Sequence, residues 1–470
     1  MLHSLILAVN LIIPMTGERT RPIQPQTLFH TLFADFFSER DGTTYVQTGD
    51  IPAMWLRDSS AQTLPYIRFV DANPILAVRF AGVIRRNARN ILVDPYANAF
   101  SADYGVWERK WEADSLSWPV LLTWAYWQAT GSRGIFTPSL HDALRRIVGT
   151  WRCEQLHAQC SHYAWGGRVD TQPYNAQTGM VWTAFRPSDD AVAYHFNIPV
   201  EAQIVVALQD AARLSLIGYA DANLANEANS MAVQVELGIQ RYGRIWDPAY
   251  GGWIYAYETD GLGNSAYIDD ANLPDLASLP YIGYCSADDP AYLNTRAYVL
   301  SKRNPWYFSG KYASGLGSPH TPYGYVWPLG LMARALTATS SVETSEVLTT
   351  LAETDSEQGL IHESFDPDAY WLYTRDEFGW ANALYASLVF RSVAGFPSVP
   401  FTAWGNTVLP YEQISKTPTL TPPLVQIQNT GILYSTLGDL LERADGHTTI
   451  APIRTLMKRS ASGRNGAPAR

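Results

Sequence analysis

Apolar residues recur at three- and four-residue spacing along most of this chain, the mark of helices with one buried face, and strict alternation is scarce. The pattern predicts helices over 26–38, 59–70, 74–91, 115–130, 138–156, 198–217, 221–240, 271–283, 289–302, 324–339, 342–358 and 377–394, with a late one at 430–444. The segments between them are unequal. "IGYA" (217–220) and "TATS" (337–340) are tight, whereas 94–114, 157–197, 241–270, 303–323 and 359–376 are long and rich in Trp, Tyr, Gly, Asn and Asp. Loops of more than about 12–15 residues inside a compact domain are usually functional. Helices joined alternately by short turns and long loops predict an all-α fold, an (α/α)6 barrel or toroid of helical hairpins whose long loops form a pocket at one end. No low-complexity linker interrupts 41–445, which reads as one catalytic domain. The extension 446–470 ends in "KRSASGRNGAPAR", a composition of disordered tails.

Composition narrows the ligand more than the fold. Of 470 residues 47% are hydrophobic and only 17% charged, which allows a large core. The formal net charge of −10 argues against a nucleic-acid partner, since phosphate binding needs clustered Lys and Arg. The 16 Trp and 27 Tyr give flat faces with polar edges that suit a neutral sugar, although most of these rings are expected to fill the core. Cys153, Cys160 and Cys285 form no metal or redox motif. Buried free thiols are expected, although one pair, such as Cys153 with Cys160, is conceivable. The apolar start "MLHSLILAVNLIIP" is too short to span a bilayer and lacks the basic flank of a leader. The expectation is therefore no membrane span, a cytoplasmic compartment ahead of a periplasmic or secreted one, and a monomer.

Chemistry concentrates in the long loops. "FRPSDDAVAYHFNIP" carries adjacent carboxylates Asp189 and Asp190 after Arg186, and "GLIHESFDPDAYW" carries Glu363 among aromatic rings. An acid pair before a helix is often a cap, and a lone loop Glu is usually solvated. Their company of rings and amides points instead to glycosidic cleavage, which needs one protonated carboxyl, one carboxylate and groups that hold a ring. No phosphate loop, nucleophile elbow or HExxH motif competes.

Seven segments, "TGDIPAMWLRDSSAQ", "DPYANAF", "WERKWEADSL", "FRPSDDA", "DDANLPDLASLPYIG", "GSPHTPYGYVWP" and "HESF", occur in an order that resembles glycoside hydrolase family 125, exo-acting α-1,6-mannosidases, over roughly residues 40–395. The resemblance implies an (α/α)6 barrel, no metal or other cofactor, and a mannose-containing oligosaccharide as partner, cleaved at a terminal α-1,6 linkage with inversion. It places the general acid in "RPSDD", with Asp190 ranked ahead of Asp189, and the general base at Glu363. Trp55, Arg57, Asp58, Arg186, Asp269, Asp270, Asn272 and His320 would hold the terminal sugar. Residues 1–40 scarcely match, and "VAYHFNIPVEAQ" departs from the family's continuation after the acid pair. A glucoamylase-like or trehalase-like hydrolase, a phosphorylase, or a non-catalytic mannoside-binding relative are the alternatives.

Overall fold

The computed structural model describes residues 28–394, apart from 72, 166–171 and 356–358. Its helices are α1 (His30–Ala34), α2 (Leu56–Thr63, extended by a 3-10 turn Leu64–Phe69), α3 (Pro74–Val93), α4 (Ser117–Thr130), α5 (Pro138–Gln155), α6 (His157–Cys160), α7 (Ile198–Tyr219), α8 (Ala222–Tyr242), α9 (Pro290–Val299), α10 (Pro328–Leu336), α11 (Ser341–Glu353) and α12 (Gly379–Ala394). Several begin where a side chain accepts the orphan N–H groups of the first turn and a proline follows: Asn73 before α3, Thr137 before α5, Asn197 before α7 and Asp289 before α9.

Burial sorts these helices into two sets. All eight residues of α2 are buried, as is α4 from Ser117 to Trp127, and a helix without a solvent face belongs inside. Helices α3, α5 and α8 bury one stripe and expose the other. Packing follows the same division: α2 lies against α4 and α12, α4 against α7, and α10 against α12 and the segment around Leu276–Ser278. Outside them α3 packs on α5, α8 on α7 and α11 on α10. One apolar core runs from Leu28 to Phe390.

Two expected helices differ. Of the expected helix 26–38, the described residues from His30 on form the short α1 and then leave the helix, because Phe36–Ser38 pair antiparallel with Thr44–Val46. Residues 271–283 form a 3-10 turn at Leu276–Ser278 within irregular chain, since Pro274 and Pro280 supply no N–H and Asp275 caps the turn. The expected helix at 430–444, the extension 446–470 and residues 1–27 lie outside the described residues. Cys153 and Cys160 are joined in a disulfide across the α5–α6 corner, against the expectation of free thiols, because α5 ends two residues after Cys153 and folds back within the loop the pair closes. Cys285 is free. No helix among the described residues is long and apolar enough to cross a membrane.

The connections have a direction. Every long one enters an inner element at its N-terminal end: 35–55 leads into α2, 94–116 into α4, 161–197 into α7, 243–275 into the fourth inner segment, 300–327 into α10 and 354–378 into α12. Short hairpins stiffen them, including Tyr307–Ser309 with Ser314–Leu316 and Ser364–Asp366 with Ala369–Thr374.

Candidate active site

A cavity of about 200 Å³ sits where these long connections meet the inner helices. Thr48, Ile51, Trp55, Arg57 and Asp58 come from the approach to α2, and Pro187, Ser188 and Asp189 from the approach to α7. Asn272 comes from the fourth inner segment, His320 and Trp327 from the approach to α10, and Glu363, Arg375, Phe378 and Trp380 from the approach to α12.

Arg57 organises one wall. Its guanidinium is buried and donates through Nη1 to Glu112 Oε2 at 2.9 Å and to Asp114 Oδ2 at 3.1 Å. Asp58 lies 3.7 Å and Asp189 3.8 Å from its other nitrogens. Four carboxylates thus face one cation. Burial, opposed by Arg57, pushes the Asp58 carboxyl up to about 6. Burial likewise holds Glu112 well above the usual carboxylate range, with the negative Asp189 adding to it and Arg57 opposing. Burial would raise Asp189 too, but a hydrogen bond from Glu112 and the charges of Arg57 and Lys110 bring it below the ordinary value. Trp55 lines the same cavity, and its indole N–H has no partner among the described residues.

The acid pair splits because Asp189 takes a left-handed backbone, with φ of +67°. Such a conformation is tolerated by Asp and is uncommon for a residue with a side chain. Asp189 then faces Asn98 and Arg57, with Asn98 Nδ2 donating to its Oδ1 at 2.9 Å. Asp190 turns the other way, accepting from Ser188 Oγ at 3.0 Å and lying 3.5 Å from His320 Nδ1. That carboxylate raises the His320 pKa. Asp190 is not itself among the cavity's lining residues, but His320 is.

Glu363 precedes the strand Ser364–Asp366 and lines the same cavity, with Arg375 Nη1 3.7 Å from its Oε1. Arg375 is fixed from behind: it donates through Nε to Asp50 at 2.8 Å and through Nη2 to the Thr48 carbonyl at 2.9 Å, and it covers the Phe378 ring at 4.6 Å.

Seven of the sequence-named residues therefore line one cavity: Trp55, Arg57, Asp58, Asp189, Asn272, His320 and Glu363. Three others are engaged behind it. Arg186 forms a two-point pair with Glu258, at 2.6 and 3.1 Å, and Glu258 also receives the N–H groups of Ala193 and Tyr194, so this pair pins the acid loop. Asp269 accepts from the backbone of Leu276 and Ala277 as a cap, and Asp270 holds the Asn272 amide at 3.0 Å. Arg375, Trp327, Phe378 and Trp380 were not foreseen in the sequence, whereas Asn98, Glu112 and Asp114, all in the long loop 94–114, stand behind the wall. The strings "WEADSL" and "YTRDEFGWAN" flank an inner helix start, which is the signal that marks them. Among the described residues no group of His, Cys, Asp or Glu is arranged to hold a metal ion.

The arrangement is that of a carbohydrate-processing (α/α)6 enzyme. A glucoamylase from Saccharomycopsis fibuligera shares the fold, at 13% identity and a TM-score of 0.56 over 78% of this chain and 93% of that one. The chain belongs to glycoside hydrolase family 125, the metal-independent alpha-mannosidases, whose family model matches residues 21–390. That match begins well ahead of residue 40, so α1 belongs to the conserved body of the fold. A Streptococcus pneumoniae metal-independent alpha mannosidase, solved in a non-productive complex with alpha-1,6-mannobiose, is 37% identical with a TM-score of 0.75, over 78% of this chain and 92% of that one. The meiotically up-regulated gene 157 protein of Schizosaccharomyces pombe is 35% identical over 413 residues, 78% of this chain and 80% of its own length.

Proposed function

We propose that this mannosidase removes a terminal α-1,6-linked mannose from the non-reducing end of an oligosaccharide, with inversion, using Glu363 as general base and Asp190 as general acid. The observation that carries the reading is one cavity that brings Glu363, Asp58 and Asp189 together with His320, the partner of Asp190, beside Arg57, Trp327, Phe378 and Trp380. Removal of a terminal sugar places that sugar in the cavity and the glycosidic oxygen at its mouth. The acid belongs there, and Asp190, one third exposed beside His320, fits that place better than Asp189, which is held as an anion against Arg57. Asp189, Asp58 and Arg57 are then free to hold sugar hydroxyls, with the unpaired Trp55 N–H as a further donor. Glu363 takes a proton from a water on the far side of the ring while Asp190 gives one to the departing oxygen. The α-1,6 linkage rests on the mannobiose bound by the S. pneumoniae relative. The Cys153–Cys160 disulfide favours an oxidising compartment over the cytoplasm.

The test is mannose release from α-1,6-mannobiose, with NMR of the first anomer formed. β-Mannose is expected, and α-mannose would overturn inversion. Glu363→Gln should lose turnover on every substrate. Asp190→Asn should lose about 10²–10⁴-fold on mannobiose yet recover on an aryl mannoside whose leaving group needs no proton. Recovery in Asp189→Asn instead would exchange the two assignments.

A further inference from the structure

Behind Asp189 the hydrogen bonds do not add up unless a proton is present. The Asn98 amide is oriented unambiguously, because its Oδ1 accepts from the backbone N–H of Lys110 at 3.1 Å. Its Nδ2 therefore faces three carboxyl groups: Glu108 Oε2 at 2.8 Å, Asp189 Oδ1 at 2.9 Å and Glu112 Oε1 at 3.3 Å. An amide nitrogen has two hydrogens, and Glu108 and Asp189 take the two shorter contacts. Glu112 Oε1 is left against the Asp189 carboxyl. The other oxygen of Glu112 is already served, by Arg57 Nη1 at 2.9 Å and by Ser115 Oγ at 2.9 Å.

The surrounding charges do not remove the conflict. Facing Glu112 are Arg57 from α2, Asp114 from the turn before α4, Asp189 from the acid loop, Lys110 from the chain after the strand Val106–Glu108, and the Tyr163 hydroxyl, with Glu108 on the shared Asn98 amide. Lys110 is spent in part on Glu108, at 3.2 Å. Glu112 and Asp114 have no solvent exposure at all. Two ionised carboxylates in contact at such a site repel strongly, and a shared proton turns that repulsion into a short, charge-assisted hydrogen bond.

We propose that Glu112 is a positioning residue that stays a neutral carboxylic acid in the working enzyme and donates its proton to Asp189, so that the cavity grips a mannoside only while that proton is in place. The proposal rests on the sugar-holding role given to Asp189 above. When the proton leaves Glu112 for solvent, its hydrogen bond to Asp189 breaks, the two anions repel, and Asp189 swings from the wall. Affinity is lost at alkaline pH although neither Glu363 nor Asp190 has changed.

Binding separates this from turnover. Calorimetry of α-1,6-mannobiose with Glu363→Gln across pH should show Kd weakening by tenfold or more on the alkaline side. In a Glu112→Gln, Glu363→Gln double variant the carboxamide donates to Asp189 at every pH, so the alkaline loss should vanish or move up by a pH unit or more. The same alkaline loss in both proteins would overturn the proposal. Should the double variant fail to fold, the single variant decides. Its binding enthalpy at alkaline pH should vary with buffer ionisation heat, reporting uptake of one proton, and no such dependence would overturn the proposal equally. No binding at any pH by Glu363→Gln would overturn the mannoside reading itself, and this inference with it.

Discussion

Replacing Arg57 by Met keeps the length and the apolar stem of the side chain and removes the cation that four carboxyl groups share. Two of those contacts, at 2.9 and 3.1 Å, are direct hydrogen bonds to carboxyls without solvent access. At an effective dielectric of about 20 the Asp114 contact is a Coulomb attraction of roughly 5 kcal/mol, offset by the cost of burying the guanidinium, while neutral Glu112 contributes a hydrogen bond. The variant does not lose that full amount, because Asp114 and Asp189 can bind protons at about 1.4 kcal/mol per pH unit. Removing one partner of a buried pair costs about 3–5 kcal/mol, and that is the loss expected near pH 7.5. Without the cation the folded-state pKa values of these carboxyls rise further. A group raised in the folded state contributes stability that is full below its unfolded value and is lost as pH climbs through the folded one. The gap between wild type and Arg57→Met should therefore narrow to about 1–2 kcal/mol at pH 5 and widen with pH. Urea unfolding of both proteins at the two pH values measures it. Equal losses at pH 5 and 7.5, or a loss below about 1 kcal/mol at the higher pH, would refute the cluster's role as a charge-balanced wall.

Two further outcomes test the frame around the site. Asp210 on α7 is buried against Arg213 and its carboxyl is pushed up to about 6 by burial, so its stability contribution is full below about pH 4 and lost as pH rises through 6. Asp210→Asn should flatten the pH dependence of Tm over that window by an amount corresponding to roughly 2–3 kcal/mol, and parallel curves for the two proteins would contradict the assignment. The Cys153–Cys160 bridge closes a short loop, and replacing both by Ser should cost about 2–3 kcal/mol by calorimetry, with the oxidised protein no more stable than the variant as the contrary result.

What the sequence disclosed depended on how local the signal was. Helices α3, α5, α7 and α8 follow from a capping residue, an N-terminal proline in the first three, and an apolar stripe, all readable within twenty residues. The fourth inner segment did not, because its apolar content imitates a helix while Pro274 and Pro280 forbid one and Asp269 and Asp275 supply the caps instead. Site residues divide likewise. Glu363 and the Asp189–Asp190 pair stand out by type in aromatic company. Arg375 does not, since its value lies in reaching Asp50 and Thr48, more than 300 positions away, and Glu112 matters only once Asn98 brings it to Asp189. The swing of the acid pair is a backbone fact, the positive φ of Asp189, that no side-chain pattern announces.

The one-sided placement of the long connections has a consequence for how the chain tolerates change. Turns such as Ala220–Asp221, and 337–340, close hairpins at the end away from the cavity and carry none of its lining residues. The molecule is thus divided into a scaffold end and a working end, wired in series but editable apart. New chain termini or an inserted domain at the first of those turns would leave every cavity residue on an unbroken approach to its own helix. Exchanging a single lining approach, by contrast, would re-cut one wall of the cavity while four others keep their place, which gives this ring a combinatorial route to new sugars that a site built from one continuous loop lacks.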